Sequence, residues 1–124
     1  MIYFDHIEIH VKDPLSYCEF LTRLVGGGRY KLISQNGTYM FLTDDLFRFE
    51  VKKLNSEETS QNSLKGFCMP CLRTKGAIDH LRKLHIEPTS KVDNPDGVCY
   101  FFQDIENIKW HIKDYQVLDE FVNI

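Results

Sequence analysis

The chain has 124 residues, 43% hydrophobic and 27% charged, with a net charge of −3; that is enough for one domain burying about two-thirds of its unfolded surface. No Lys/Arg stripe points to nucleic acid or an anionic membrane, and no stretch nears the ~18 apolar residues of a membrane span. The N-terminus carries no export pattern, so the four cysteines are expected to stay reduced in a cytoplasmic protein.

Asp5 to Val11 alternates as a strand, with Ile7, Ile9 and Val11 on one side and His6, Glu8 and His10 on the other. Asp13-Pro14 is a helix start, Asp as N-cap and Pro at the first helical position. Leu15, Cys18, Leu21 and Leu24 supply the expected apolar stripe, and Gly26-Gly27-Gly28 ends the helix. The runs Tyr30 to Gln35 and Thr38 to Thr43 flank Asn36-Gly37, which predicts a hairpin with a two-residue turn. Asp44-Asp45 then leads into a strand over Leu46 to Lys52.

Residues 54–65 are polar and turn-rich and read as a linker. A second unit opens with a strand over Gly66 to Leu72. Thr74 is expected to cap a helix carrying Ala77, Ile78, Leu81 and Leu84. Strands follow at Thr89 to Val92, Val98 to Gln103 and Ile108 to Lys113, with a turn at Asn94 to Gly97. A short helix over Gln116 to Ile124 closes the chain. The expected division is one domain, with module one at about 2–53, module two at about 66–114 and a tail at 115–124.

The two halves read alike. His6 and Glu50 stand 44 residues apart, Cys68 and His111 stand 43 apart, and each pair joins an opening strand to a closing strand. In the closing strands Phe47, Phe49 and Val51 share a face, as do Ile108, Trp110 and Ile112. The opposite faces carry Arg48, Glu50, Lys109 and His111. A solvent-facing sheet also alternates, but two His, a Glu and a Cys at matched places are the donor types that hold a metal ion.

The run Asp5-His6-Ile-x-x-x-Val11-x-Asp13 and the late run Phe102-Gln-Asp104-Ile-Glu-Asn-Ile-Lys-Trp-His111 resemble the vicinal oxygen chelate superfamily. That group includes glyoxalase I, extradiol dioxygenases, fosfomycin-resistance enzymes and bleomycin-binding proteins. The likeness implies an α+β fold in which two βαβββ modules form a curved mixed sheet, commonly in a homodimer. It implies metal ligands at His6, Glu50, Cys68 and His111. Cys68 stands where His is usual and His111 where Glu is usual, while Ile105 and Asn107 replace a Pro and a Gly. These departures argue against glyoxalase I activity itself.

His6, Glu50 and His111 alone match the composition of a two-His-one-carboxylate triad suited to Fe(II) or Mn(II), whereas thiolate from Cys68 would favour Zn(II). Zn, Fe, Mn and Ni are the candidate ions. Glu8 and His10 are the candidate acid/base residues, and Arg48 and Lys109 the candidate contacts to a substrate carboxylate. His6 and His10 are ~13 Å apart along an extended strand and cannot share one ion through it. Cys68-Met-Pro-Cys71 matches a redox spacing, but no helix stripe follows at once, so Cys71 reads as a buried core thiol. The expected function is a metal-dependent lyase, isomerase or dioxygenase acting on a small oxygenated metabolite. The rival is a metal-free binding protein for a small molecule, and a third reading is a redox protein using Cys68 and Cys71.

Overall fold

The computed structural model describes residues 5–55, 70–94 and 97–114. Residues 5–55 with 105–108 form one compact unit, and the other described residues form a second. Each unit is a βαβββ module with its own four-stranded mixed sheet.

In the first unit β1 (Ile7–Val11) is followed by α1 (Pro14–Val25), β2 (Arg29–Leu32), β3 (Tyr39–Leu42) and β4 (Arg48–Lys53). The sheet order is β1-β4-β3-β2, with β1 parallel to β4 and the other pairs antiparallel. β1 starts two residues later than the alternation predicts, so His6 stands just ahead of it. α1 begins as expected. Asp13 accepts the Ser16 amide at 3.2 Å, Pro14 opens the helix, and Gly26 at φ 73° ends it with its amide on the Thr22 carbonyl.

The buried stripe runs through Pro14, Tyr17, Cys18, Leu21 and Leu24, with Phe20 beside it, while Leu15 is 42% exposed. The reason is the helical period: a strict three-residue step falls 60° short of a full turn each time, and only steps of three and four together hold one face. α1 packs on β1, β3 and β4, covering Ile9, Val11, Phe41, Phe49 and Val51, all buried. Phe47 departs from the expected buried face at 40% exposed, because it precedes β4, in the turn where Thr43 hydrogen-bonds its backbone.

Gly28 has a packing reason. Its φ is 95°, and a Cβ there would stand 2.7 Å from the Phe41 ring and 2.9 Å from the Leu42 carbonyl oxygen. The β2–β3 connection is a six-residue loop, residues 33–38, rather than a two-residue turn. Leu32 pairs with Tyr39, and the Ile33 and Gly37 amides donate to the Thr38 and Ser34 carbonyls. Of Asn36 and Gly37, only Gly37 is left-handed, whereas a type I′ turn needs both. The Asn36 side-chain oxygen instead accepts from the Thr38 amide and hydroxyl.

The second unit repeats the order with β5 (Cys71–Thr74), α2 (Ala77–Lys83), β6 (Ser90–Asn94), β7 (Gly97–Gln103) and β8 (Lys109–Asp114). Its sheet runs β5-β8-β7-β6, with β5 parallel to β8. Thr74 does not cap α2. It ends β5 and donates its hydroxyl to the Lys75 carbonyl, while Gly76 at φ 66° takes the cap position with no side-chain cap. The Gly76 amide donates to Asp114 Oδ1 at 3.1 Å. Asn94 pairs with Gly97 to close the β6–β7 hairpin. Ala77, Leu81, Phe102, Trp110 and Ile112 form this unit's buried core.

The modules match at the level of register. Phe41 pairs with Phe49 as Phe102 pairs with Trp110. The turn before each closing strand holds a left-handed residue, Leu46 at φ 70° and Asn107 at φ 63°. Asn tolerates that conformation well. Most of the expected linker, the start of the Gly66 to Leu72 strand, Cys68 and the closing helix lie outside the described residues.

Asp104 of the late motif is buried at 6% exposure and accepts the Trp110 indole N–H at 2.8 Å. Trp110→Phe is expected to cost about 2 kcal/mol or more, from lost packing and a carboxylate deprived of a donor. Urea unfolding measures it, and a loss of a few tenths would contradict the role. Burial pushes the Cys18 thiol up to about 12, so Cys18 should resist alkylation in the native chain and react once it is unfolded.

Candidate functional site

The parallel register of β1 and β4 pairs Glu8 with Glu50 and His10 with Lys52. Paired residues on adjacent strands point to the same face about 4.8 Å apart, so this face gathers charge by construction. His6 stands between two carboxylates: its Nδ1 is 2.7 Å from Asp5 Oδ2 and its Nε2 is 2.9 Å from Glu50 Oε2. Lys52 Nζ lies 3.0 Å from Glu8 Oε1 and 3.4 Å from Glu50 Oε1. His10 Nε2 lies 2.7 Å from Glu8 Oε2. The Glu8 carboxyl is held below its usual range, first by Lys52 and then by His10.

One ligand atom from each of His6, Glu8 and Glu50 lies within 4.8 Å of the others, and no other such group of three occurs among the described residues. Imidazole with two carboxylates is a donor set for Mn(II), Fe(II) or Zn(II). The geometry fits such an ion. Asp5 orients the His6 ring as a carboxylate orients a metal-binding histidine, and a 2.9 Å approach of Nε2 to a carboxylate oxygen needs a proton or a cation between them.

His10 falls outside that group, as the strand spacing requires. Glu8 enters it, although its sequence pattern suggested an acid/base role. Arg48 is exposed and its guanidinium reaches Asp5 at 3.5 Å. The bridge to Glu8 and Glu50 comes from Lys52, which sequence reasoning passed over. The signal was there: Lys52 is two residues beyond Glu50 in an alternating strand.

In the second unit β8 turns Lys109, His111 and Lys113 to the face opposite Trp110 and Ile112. Register places Cys71 on one side of His111 and Phe101 on the other. The Phe101 and His111 rings stack with centroids 5.3 Å apart. His111 Nδ1 is buried with no hydrogen-bond partner among the described residues, an uncommon state that a ligand or ion would relieve. Cys71 is exposed and its thiol donates to the Leu72 carbonyl at 3.4 Å, which corrects the buried-core reading. The correction follows from register, since Leu72 rather than Cys71 lies opposite buried Ile112. Desolvation raises the Cys71 thiol above its ordinary value, which disfavours the thiolate a redox role needs. Lys109 helps line a cavity of about 370 Å³ with Thr89, Ser90, Phe101 and Gln103.

No protein-family model matches the sequence, and no curated protein matches it. Solved structures match over nearly the whole chain. A mutant of the fosfomycin resistance protein FosX from Listeria monocytogenes, complexed with Mn(II) and 1S,2S-dihydroxypropylphosphonic acid, is 16% identical. Its TM-score is 0.68, covering 94% of each chain. A glyoxylase/bleomycin resistance protein/dioxygenase domain from Frankia sp. is 12% identical with a TM-score of 0.69, over 94% of this chain and 99% of that one. An integron cassette protein from Vibrio cholerae is 16% identical with a TM-score of 0.64, over 94% and 97%. The chain shares the fold of these structures. Within this fold His6 stands just ahead of β1, Glu50 lies in β4 and His111 in β8.

Burial first, and Lys113 second, hold the His111 imidazole below its ordinary 6.5. The unfolded chain therefore takes up this proton at higher pH than the folded chain. Stability rises with pH between the folded value and about 6.5 and is flat above, so acidification through that window costs stability. Replacing His111 with Phe should flatten the pH dependence of the urea midpoint over about pH 5–7, and an unchanged slope would contradict the assignment.

Proposed function

We propose that this chain is a divalent-metal-dependent enzyme acting on a small oxygenated metabolite. The observation that carries the reading is the convergence of His6, Glu8 and Glu50 on one sheet face, with Asp5 orienting His6. The FosX structure with Mn(II) has the same fold and supports it by analogy. His6 Nε2 and carboxylate oxygens of Glu8 and Glu50 would hold the ion. The sequence resemblance adds His111 and Cys68 as further ligands, and a homodimer as the assembly.

A bound divalent ion would supply Lewis acidity to two adjacent substrate oxygens. Asp5 keeps the His6 Nδ1 proton engaged, which fixes the ring and directs Nε2 inward. His10 Nε2, sharing a proton with Glu8 Oε2, is the group placed to take or give a proton. Arg48 and Lys109 would bind an anionic group of the substrate. The His10–Glu8 pair favours proton-moving chemistry of lyase or isomerase type over O₂ chemistry.

A second reading, a metal-free small-molecule-binding protein, is favoured by the ion pairs of Lys52, which offset part of the charge of Glu8 and Glu50 without any metal.

The test is metal content of untagged protein purified without chelator, beside His6→Ala, Glu50→Gln and His111→Ala. Near-stoichiometric Mn, Fe, Zn or Ni in the parent, lost in His6→Ala and Glu50→Gln, is the expected result. Loss in His111→Ala as well extends the ligand set to that residue. No metal in the parent and no uptake of any of the four ions would leave the binding-protein reading in its place.

A further inference from the structure

Lys52 sits at the centre of the charged face of the first unit. It pairs in register with His10, one alternation beyond the Glu8–Glu50 pair, and its four-carbon stem carries Nζ back between those two carboxylates. These are the same carboxylates that, with His6, form the cluster of metal-capable donors. Like charges facing each other across adjacent strands repel, and the ammonium relieves that repulsion.

We propose that Lys52 is a resident counter-cation, so that its ion pairs with Glu8 and Glu50 and a divalent ion on His6, Glu8 and Glu50 exclude one another. The inference rests on the metal-dependent reading above and adds to it a residue that sets how tightly the ion is held.

Two physical arguments carry it. The first is geometric. A divalent ion takes carboxylate oxygens at about 2.0–2.6 Å, and the ammonium already draws one oxygen of each carboxylate to within 3.0 and 3.4 Å. The second is electrostatic. A single positive charge a few ångströms from a double one repels it by several times the thermal energy even at the dielectric of water. The Lys52 side chain is 37% exposed, so it can swing into solvent without moving the backbone. Arg48 is engaged elsewhere, its guanidinium lying 3.5 Å from Asp5 Oδ1. Uptake of the ion therefore releases an ammonium beside the bound ion, where it can meet an anionic group on the incoming molecule.

The experiment titrates Mn(II), and separately Zn(II), Fe(II) and Ni(II), into the full chain and into Lys52→Met, Lys52→Arg and His6→Ala. Calorimetry gives the affinity, and the metal-induced rise in Tm gives an independent readout. Lys52→Met should bind at least about tenfold tighter than the parent, about 1.4 kcal/mol, and gain more in Tm. Lys52→Arg, which keeps the charge, should stay closer to the parent. Should the Met variant fail to fold, Lys52→Gln repeats the test with a polar side chain. Equal affinity in parent and Lys52→Met, with loss in His6→Ala, would overturn the counter-cation role and leave the metal reading standing. No uptake of Mn(II), Zn(II), Fe(II) or Ni(II) by any of the folded proteins would overturn both.

Discussion

In each module the first strand lies parallel against the last, and that pairing governs where the polar side chains go. Parallel neighbours point partnered residues to the same face, so the pairing that buries Ile9 with Val51 also puts Glu8 beside Glu50. Two carboxylates at that separation cannot stand uncompensated. The rest of the face answers that need: Lys52 spans both oxygens, His6 lies against Glu50, His10 lies against Glu8, and Asp5 and Arg48 extend the network outward. The apolar side shows the same geometry in reverse, with α1 laid over the residues the pairing turned away from the charge.

The same scaffold yields a different chemistry in the second unit. Matched register positions hold Glu50 in one module and His111 in the other, and Lys52 in one and Lys113 in the other. Where the first unit has a closed set of ion pairs, the second has an imidazole between a thiol and a phenyl ring, with no partner for Nδ1 among the described residues. A closed network is stable in itself and gives up a partner only to a stronger one. An orphaned buried nitrogen keeps a standing cost that a bound group removes. Two modules of one burial pattern thus carry two unequal faces.

Much of this was legible because alternation and capping are local. Asp13-Pro14 and Gly26 bounded α1, and the period of two in β1 and β4 separated Ile9 and Val51 from Glu8 and Glu50. What stayed hidden depended on register or on the pull of distant parts. Lys52 gained its place only once the pairing with His10 was known. Cys71 moved from core to polar face because β5 pairs it with His111 and sets Leu72 opposite buried Ile112. Asn36-Gly37 carried the strongest local turn signal, yet side-chain hydrogen bonds from Asn36 held a wider loop. Thr74 looked like a cap, but the Gly76 amide already had a partner in Asp114, a residue far along the chain.

The first unit is assembled from two stretches of chain, since residues 105–108 belong to it. Glu106 accepts the Lys12 amide at 2.6 Å, and Ile108 is buried at 2% exposure. A gene fragment ending after β4 would encode that unit's helix and all four of its strands but neither of these residues. A half-gene therefore does not encode a self-sufficient half-protein, however regular the repeat looks on paper.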